Sequence, residues 1–178
     1  LKGVLWDPSD GDIDPAQVTQ ALAKGARDLG AKIIRFCPAT GVTQDGDGWI
    51  VHTEKGDVAC DYVVNAAGYY AQKVGEWFKP YGGRTVPMAV MSHQYFLTEE
   101  IPELKAWSEE NGKLPLLRDV DSSYYLRQEK NGLNLGPYER NGKAHWDTPA
   151  DPMPDDFSFQ LYPDDLDRLE WYIEDAMA

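Results

Sequence analysis

Apolar residues recur at helical spacing between residues 14 and 30. Val18, Ala21, Leu22, Ala26 and Leu29 fall on one face, which predicts an amphipathic helix. Asp14 suits its N-cap, Pro15 its first helical position and Gln17 the capping-box position. Gly30 suits the C′ residue that closes it. Gly25 lies on the same stripe, where a missing side chain would let another backbone pack close. Residues 31–36 then read as a buried strand, giving the helix-to-strand step of an α/β unit.

A meander follows. Residues 40–44, 49–53 and 58–60 are short β-like runs separated by Asp45-Gly46-Asp47-Gly48 and Glu54-Lys55-Gly56, both turn sequences. By period two, Trp49, Val51 and Thr53 share one side of their strand and Ile50 and His52 the other. His52 therefore reads as a surface or edge residue. Residues 61–68 read as a buried strand ending in a small-residue turn, with a helix after it to about Phe78.

Beyond Arg84 the pattern changes. Residues 86–98 form a long extended run, and shorter strands are predicted at 114–118, 123–128 and 133–136. Successive strands without intervening helices point to a mostly antiparallel sheet. Residues 141–156 are rich in Pro and Asp and read as loop. A last helix is predicted from near Pro163, with Leu166, Leu169, Ile173, Ala176 and Met177 on its apolar face. The fold class expected is α+β.

Composition narrows the functions open to the chain. Its formal net charge of −13 over 178 residues repels phosphate backbones and argues against a nucleic-acid role. No apolar run approaches a membrane span, and no secretory leader pattern opens the sequence. Cys37 and Cys60 match no redox or zinc spacing and read as two buried thiols of a reducing compartment. The three histidines are too scattered to hold a metal, and the aspartates of residues 7–14 fail the calcium-loop spacing. No metal is expected.

A cofactor clue comes from the strand–Asn65-Ala66-Ala67-Gly68–helix arrangement. Small residues let a backbone approach a bulky ligand, and free N–H groups at a helix start suit a phosphate or ribose. The segments "DGDIDP", "ALAKGARDLGA", "VVNAAGYYA", "MSHQYFLTE", "LPLLRDVDSSYYLRQE" and "LNLGPYE" follow in that order. This series resembles the dimethylglycine and sarcosine dehydrogenase branch of the D-amino-acid-oxidase-like, FAD-dependent flavoproteins, over essentially residues 1–178. "SHQY" with "LRD…YYLRQE" is its most discriminating part.

The resemblance implies an FAD-dependent amine dehydrogenase or oxidase that oxidatively demethylates an N-methyl amino acid such as dimethylglycine or sarcosine. Electrons would pass to oxygen or to an electron-transfer flavoprotein. By position, Asn65, Ala66, Ala67 and Gly68 would lie against the FAD ribose and pyrophosphate, and the backbone at Ala39 would meet the adenine edge. His93 and Tyr125 match the family's active-site His and Tyr. Taken alone, they would read as a structural histidine and a core aromatic. An imidazole or phenol beside the amine can accept or share the ammonium proton, since hydride loss proceeds best from the neutral amine. By strand parity Tyr125 shares a face with Arg127, whose fork would suit the substrate carboxylate, with Arg118 as the competing candidate.

The GxGxxG fingerprint and the covalent-flavin histidine of many relatives are absent from these residues. The chain is therefore expected to be an internal piece, inactive alone and binding FAD weakly or not at all. Residues 12–84 would be the second portion of an FAD-binding domain. Residues 85–178, with a strand at 1–11, would be a substrate-binding domain. Apolar surface along the truncated seam would favour an oligomer. The expected setting is the bacterial cytoplasm or the mitochondrial matrix, and not secretion. The alternative function is a non-catalytic regulatory or binding module on the same fold.

Overall fold

The computed structural model describes residues 3–148, 150–158 and 160–178. The chain divides into two compact units, one of residues 15–90 and one of residues 3–14 with 91–178.

In the first unit α1 spans Pro15–Asp28. The Gly30 N–H donates to the Arg27 carbonyl and the Ala31 N–H to that of Ala26, both at 2.9 Å. With Gly30 at φ 94°, these bonds form a Schellman closure that satisfies the last carbonyls of the helix. The placement agrees with the sequence, but the packing does not. No residue of α1 is buried, Leu22 and Leu29 are exposed, and a Cβ added at Gly25 would meet nothing. Residues 31–36, expected as a buried strand, join no ladder, and Ile34 and Phe36 are exposed. A central strand is held by hydrogen bonds from both neighbours, and an apolar run without them stays extended and open.

The meander matches its prediction closely. β1 (Ala39–Asp45), β2 (Gly48–Thr53) and β3 (Val58–Cys60) form one antiparallel sheet in sequence order. Val42 pairs with Val51 and Trp49 with Cys60. Trp49 meets Phe78 and Tyr81 edge-on, with ring centroids 5.1 and 5.4 Å away, so the meander is pinned to the chain beyond α2 (Ala71–Glu76). His52 stays half-exposed, its ring nitrogens against Thr43 Oγ1 (2.7 Å) and Asp57 Oδ1 (2.9 Å). Cys37 and Cys60 are free and half-buried rather than buried. Residues 62–67 form no strand, for the same want of a ladder partner.

Residues 3–14 of the second unit, expected to contribute a strand, form none and make a single turn at Pro8-Ser9. The Asp7 carboxylate caps the backbone N–H of Ser9 at 2.9 Å, a local bond that competes with a ladder. The long extended run resolves into β4 (Val90–Ser92), paired with β9 (Lys143–His145), and β5 (Phe96–Leu97). α3 (Pro102–Asn111) then interrupts the strands, contrary to expectation, with Pro102 in its first turn. β6 (Leu117–Asp119), β7 (Tyr124–Glu129) and β8 (Gly132–Pro137) complete an antiparallel sheet of order β5-β8-β7-β6. Tyr124 and Leu135 pack with Tyr172 of α4 (Glu170–Met177) into the core, with Phe96, Leu126 and Ala176 around them. α+β describes the whole.

Candidate active site

Alternation gives the four-stranded sheet two faces of different character. Tyr124, Leu126 and Leu135 point to the core under α4. The residues between them, Tyr125, Arg127, Asn134 and Gly136, therefore share the opposite face. Arg118 joins them, because it stands directly across from Tyr125 in the β6–β7 register.

Tyr125 stands opposite Gly136 across β7 and β8. A Cβ built on Gly136 would lie 2.1 Å from Tyr125 Cζ and 2.3 Å from its hydroxyl oxygen. The phenol ring thus lies across the β8 backbone instead of standing off the sheet. Two residues beyond Gly136, just past the end of β8, Tyr138 brings its ring to 6.0 Å from Tyr125 and 6.4 Å from His93. The three rings form a row with Tyr138 in the middle. Tyr138 is 57% exposed, His93 is exposed and Tyr125 half-buried, so the row borders solvent. The sequence reading missed Tyr138, although its parity with Gly136 was available to place it.

The two arginines separate clearly. The Arg127 guanidinium is 2.9 Å from Glu129 Oε2, and its Nε is buried without a hydrogen-bond partner. Its charge, after the hydrogen bond from Lys113 that counts most, helps hold Asp12 below the usual carboxylate range. Arg127 is therefore committed within the sheet and its N-terminal segment. Arg118 is exposed and makes no ion pair among the described residues. Of the two, Arg118 is the free guanidinium beside Tyr125.

The cofactor candidates lie in the other unit. The Asn65 side chain ties the turn together, its Nδ2 donating to the Ala71 carbonyl at 2.9 Å and its Oδ1 accepting from the Ala67 N–H at 3.3 Å. Gly68 has φ 58° and open space where a Cβ would stand, a conformation that favours glycine. Ala66 and Gly68 are exposed, so a strip of bare backbone is available to a large planar or phosphate-bearing ligand. Ala39 opens β1 beside an irregularity in its register and is also exposed. These residues fit one wall of a flavin nucleotide site.

A separate concavity of about 290 Å³ is lined by Glu139, Arg140, Asn141, Arg168, Trp171 and Tyr172, none of them a sequence candidate. Glu139 there is paired to Arg168 at 2.6 Å. No cluster of His, Cys, Asp and Glu able to hold a metal occurs among the described residues. No helix among them is long and apolar enough to cross a membrane.

The sequence profile of the FAD dependent oxidoreductase family matches residues 1–176. The chain belongs to that family. Within it the chain is similar to mitochondrial dimethylglycine dehydrogenase of Mus musculus, at 43% identity over 97% of the chain and 19% of that protein. It is 34% identical to mitochondrial sarcosine dehydrogenase of the same organism over 99% of the chain and 18% of that protein. The mitochondrial pyruvate dehydrogenase phosphatase regulatory subunit of Mus musculus is also similar, at 29% over 80% of the chain and 16% of that protein. The chain spans about a fifth of the length of the dehydrogenases it matches.

Proposed function

We infer that this chain is part of an FAD-dependent amine dehydrogenase or oxidase that removes a methyl group from an N-methyl glycine derivative, dimethylglycine or sarcosine. The observation that carries the reading is the row His93–Tyr138–Tyr125 with the unpaired Arg118 next to Tyr125. Residues 15–90 contribute a wall of the flavin site through Ala39 and Asn65–Gly68. Residues 91–178, with 3–14, supply the substrate side.

Ala39 and Asn65–Gly68 would hold FAD, and the bound flavin would supply the acceptor for the hydride equivalent lost from the substrate carbon. This chain's residues prepare the amine for that loss. The His93 imidazole takes the ammonium proton, leaving the lone pair free to stabilise the developing iminium. The Tyr125 hydroxyl donates or accepts a hydrogen bond at the same amine. Arg118 receives the substrate carboxylate through its planar fork, the role that the commitment of Arg127 to Glu129 denies the latter. The electron acceptor would be oxygen or an electron-transfer flavoprotein, in a mitochondrial matrix or a bacterial cytoplasm. A non-catalytic regulatory role is the alternative, and the retention of both His93 and Tyr125 favours the enzyme.

Stopped-flow flavin reduction in the full-length protein tests this. His93→Ala should slow reduction by ~10²–10⁴-fold, most in the pH range where an imidazole is neutral while the free substrate amine is still protonated. Tyr125→Phe keeps the ring and should cost on the order of 1–3 kcal/mol for the lost hydrogen bond. Parental rates and an unchanged pH profile in both variants would remove the assignment.

A further inference from the structure

We propose that Gly136 is a positioning residue for Tyr125: it keeps β8 bare so that the phenol lies across the strand toward Tyr138 and His93. The assignment of a catalytic consequence rests on the function proposed above, while the positioning itself rests on geometry alone.

Glycine is an unfavourable choice in the middle of a strand, where it loses backbone entropy and packs nothing. Two explanations usually account for one, a left-handed backbone or a close approach. Gly136 is not among the glycines of positive φ, so its backbone conformation is open to any residue. The close approach is extreme. Three atoms of the Tyr125 ring, Cζ, Cε1 and the hydroxyl oxygen, lie within 2.3 Å of the Cβ position. Any side chain at 136 would occupy the volume of the phenol itself. Gly136 is also buried and flanked in β8 by the buried Leu135 and Pro137, so the strand cannot move aside without disturbing the core.

Removing the Cβ has a directional result. Tyr125 and Gly136 are cross-strand partners, and the bare position lets the ring fold over β8, on the side where Tyr138 follows two residues later. With a side chain at 136, the ring would have to stand upright or turn back toward β6. Its hydroxyl would then leave the row that ends at His93.

The test is a double-mutant cycle in the full-length holoenzyme, read first by thermal melting and then by flavin reduction. Gly136→Ala should lower Tm in the parental background, because the ring is expelled. In the Tyr125→Ala background the same substitution should raise Tm, since alanine suits a strand better than glycine once the ring is gone. The inversion of sign is the signature, and a merely structural glycine would not produce it. Equal Tm shifts in the two backgrounds would overturn the proposal, as would failure of both Gly136→Ala proteins to fold. Folding of the double variant alone would support it. On the kinetic side, Gly136→Ala should reduce the flavin-reduction rate as much as Tyr125→Ala does, with no further loss in the double variant. If the sign inverts while neither variant slows reduction, the positioning stands and the catalytic assignment of Tyr125 falls.

Discussion

Tyr124 on β7 lies in the core against Tyr172 of α4, and the Asp175 carboxylate of the same helix is near enough for its charge to act on the Tyr124 phenol. Burial pushes the phenol above its usual value of 10.0, and the charges of Asp175 and Asp119 add to the shift. A raised phenol favours the neutral form in the fold. Its contribution to stability is therefore fully present below the unfolded value and is lost as pH rises through the folded one. Melting temperature should fall on going above about pH 10, and Tyr124→Phe should flatten that fall. An identical alkaline limb in the variant would show that Tyr124 is not its source.

Gln128 is buried and uses both ends of its amide. Its Oε1 accepts from the Leu114 N–H at 2.7 Å, and its Nε2 donates to Ser108 Oγ at 2.9 Å and the Lys130 carbonyl at 2.8 Å. It joins α3, the segment before β6 and the β7–β8 turn. Gln128→Ala should cost about 1–3 kcal/mol by leaving buried partners unsatisfied. Denaturant unfolding would read it, and a loss below about 0.5 kcal/mol would mean that water replaces the amide at no cost.

The apolar residues that found no ladder partner remain in contact with solvent: Phe36 is 82% exposed, Tyr62 88% and Val64 85%. Apolar side chains left in solvent promote association where they gather into a patch. These 178 residues expressed alone should bind a hydrophobic dye and sediment as more than one species. A single monomer with no dye signal would contradict this.

The same polypeptide should bind FAD weakly. Its Asn65–Gly68 turn offers one bare wall, while the glycine-rich loop that cradles the pyrophosphate in dinucleotide folds is absent from its sequence. Calorimetric titration should give no submicromolar site, and finding one would mean that the turn alone suffices.

Local signals in the sequence were reliable where local physics decides. The three meander strands, the closure of α1 at Gly30 and the β7–β8 hairpin all follow from period-two patterning and turn residues. Residues 31–36 and 62–64 misled because an apolar run reports burial without naming the neighbour that provides it. α3 was overlooked although Pro102 and the spacing of Leu104, Trp107 and Ser108 mark a helix. In the site, parity placed Tyr125 and Arg127 on one face, while the β6–β7 register that sets Arg118 across from Tyr125 came only with the structure. Parity could not reveal that Glu129 captures Arg127, nor that Gly136 lets the Tyr125 ring lie toward Tyr138, since both depend on side-chain packing across strands.

Glu129 pairs with Gly132 across the loop Lys130-Asn131, with Lys130 at φ 54°. That loop fixes which residues of β7 and β8 stand opposite one another, and its length is a chemical instruction as much as a structural one. An inserted residue that slipped β7 by one position would send Tyr124 and Leu126 outward and draw Tyr125 and Arg127 into the hydrocarbon beneath α4. Substitutions at the exposed tip leave this parity alone, whereas a change in the number of residues would exchange the two faces of β7 in a single step.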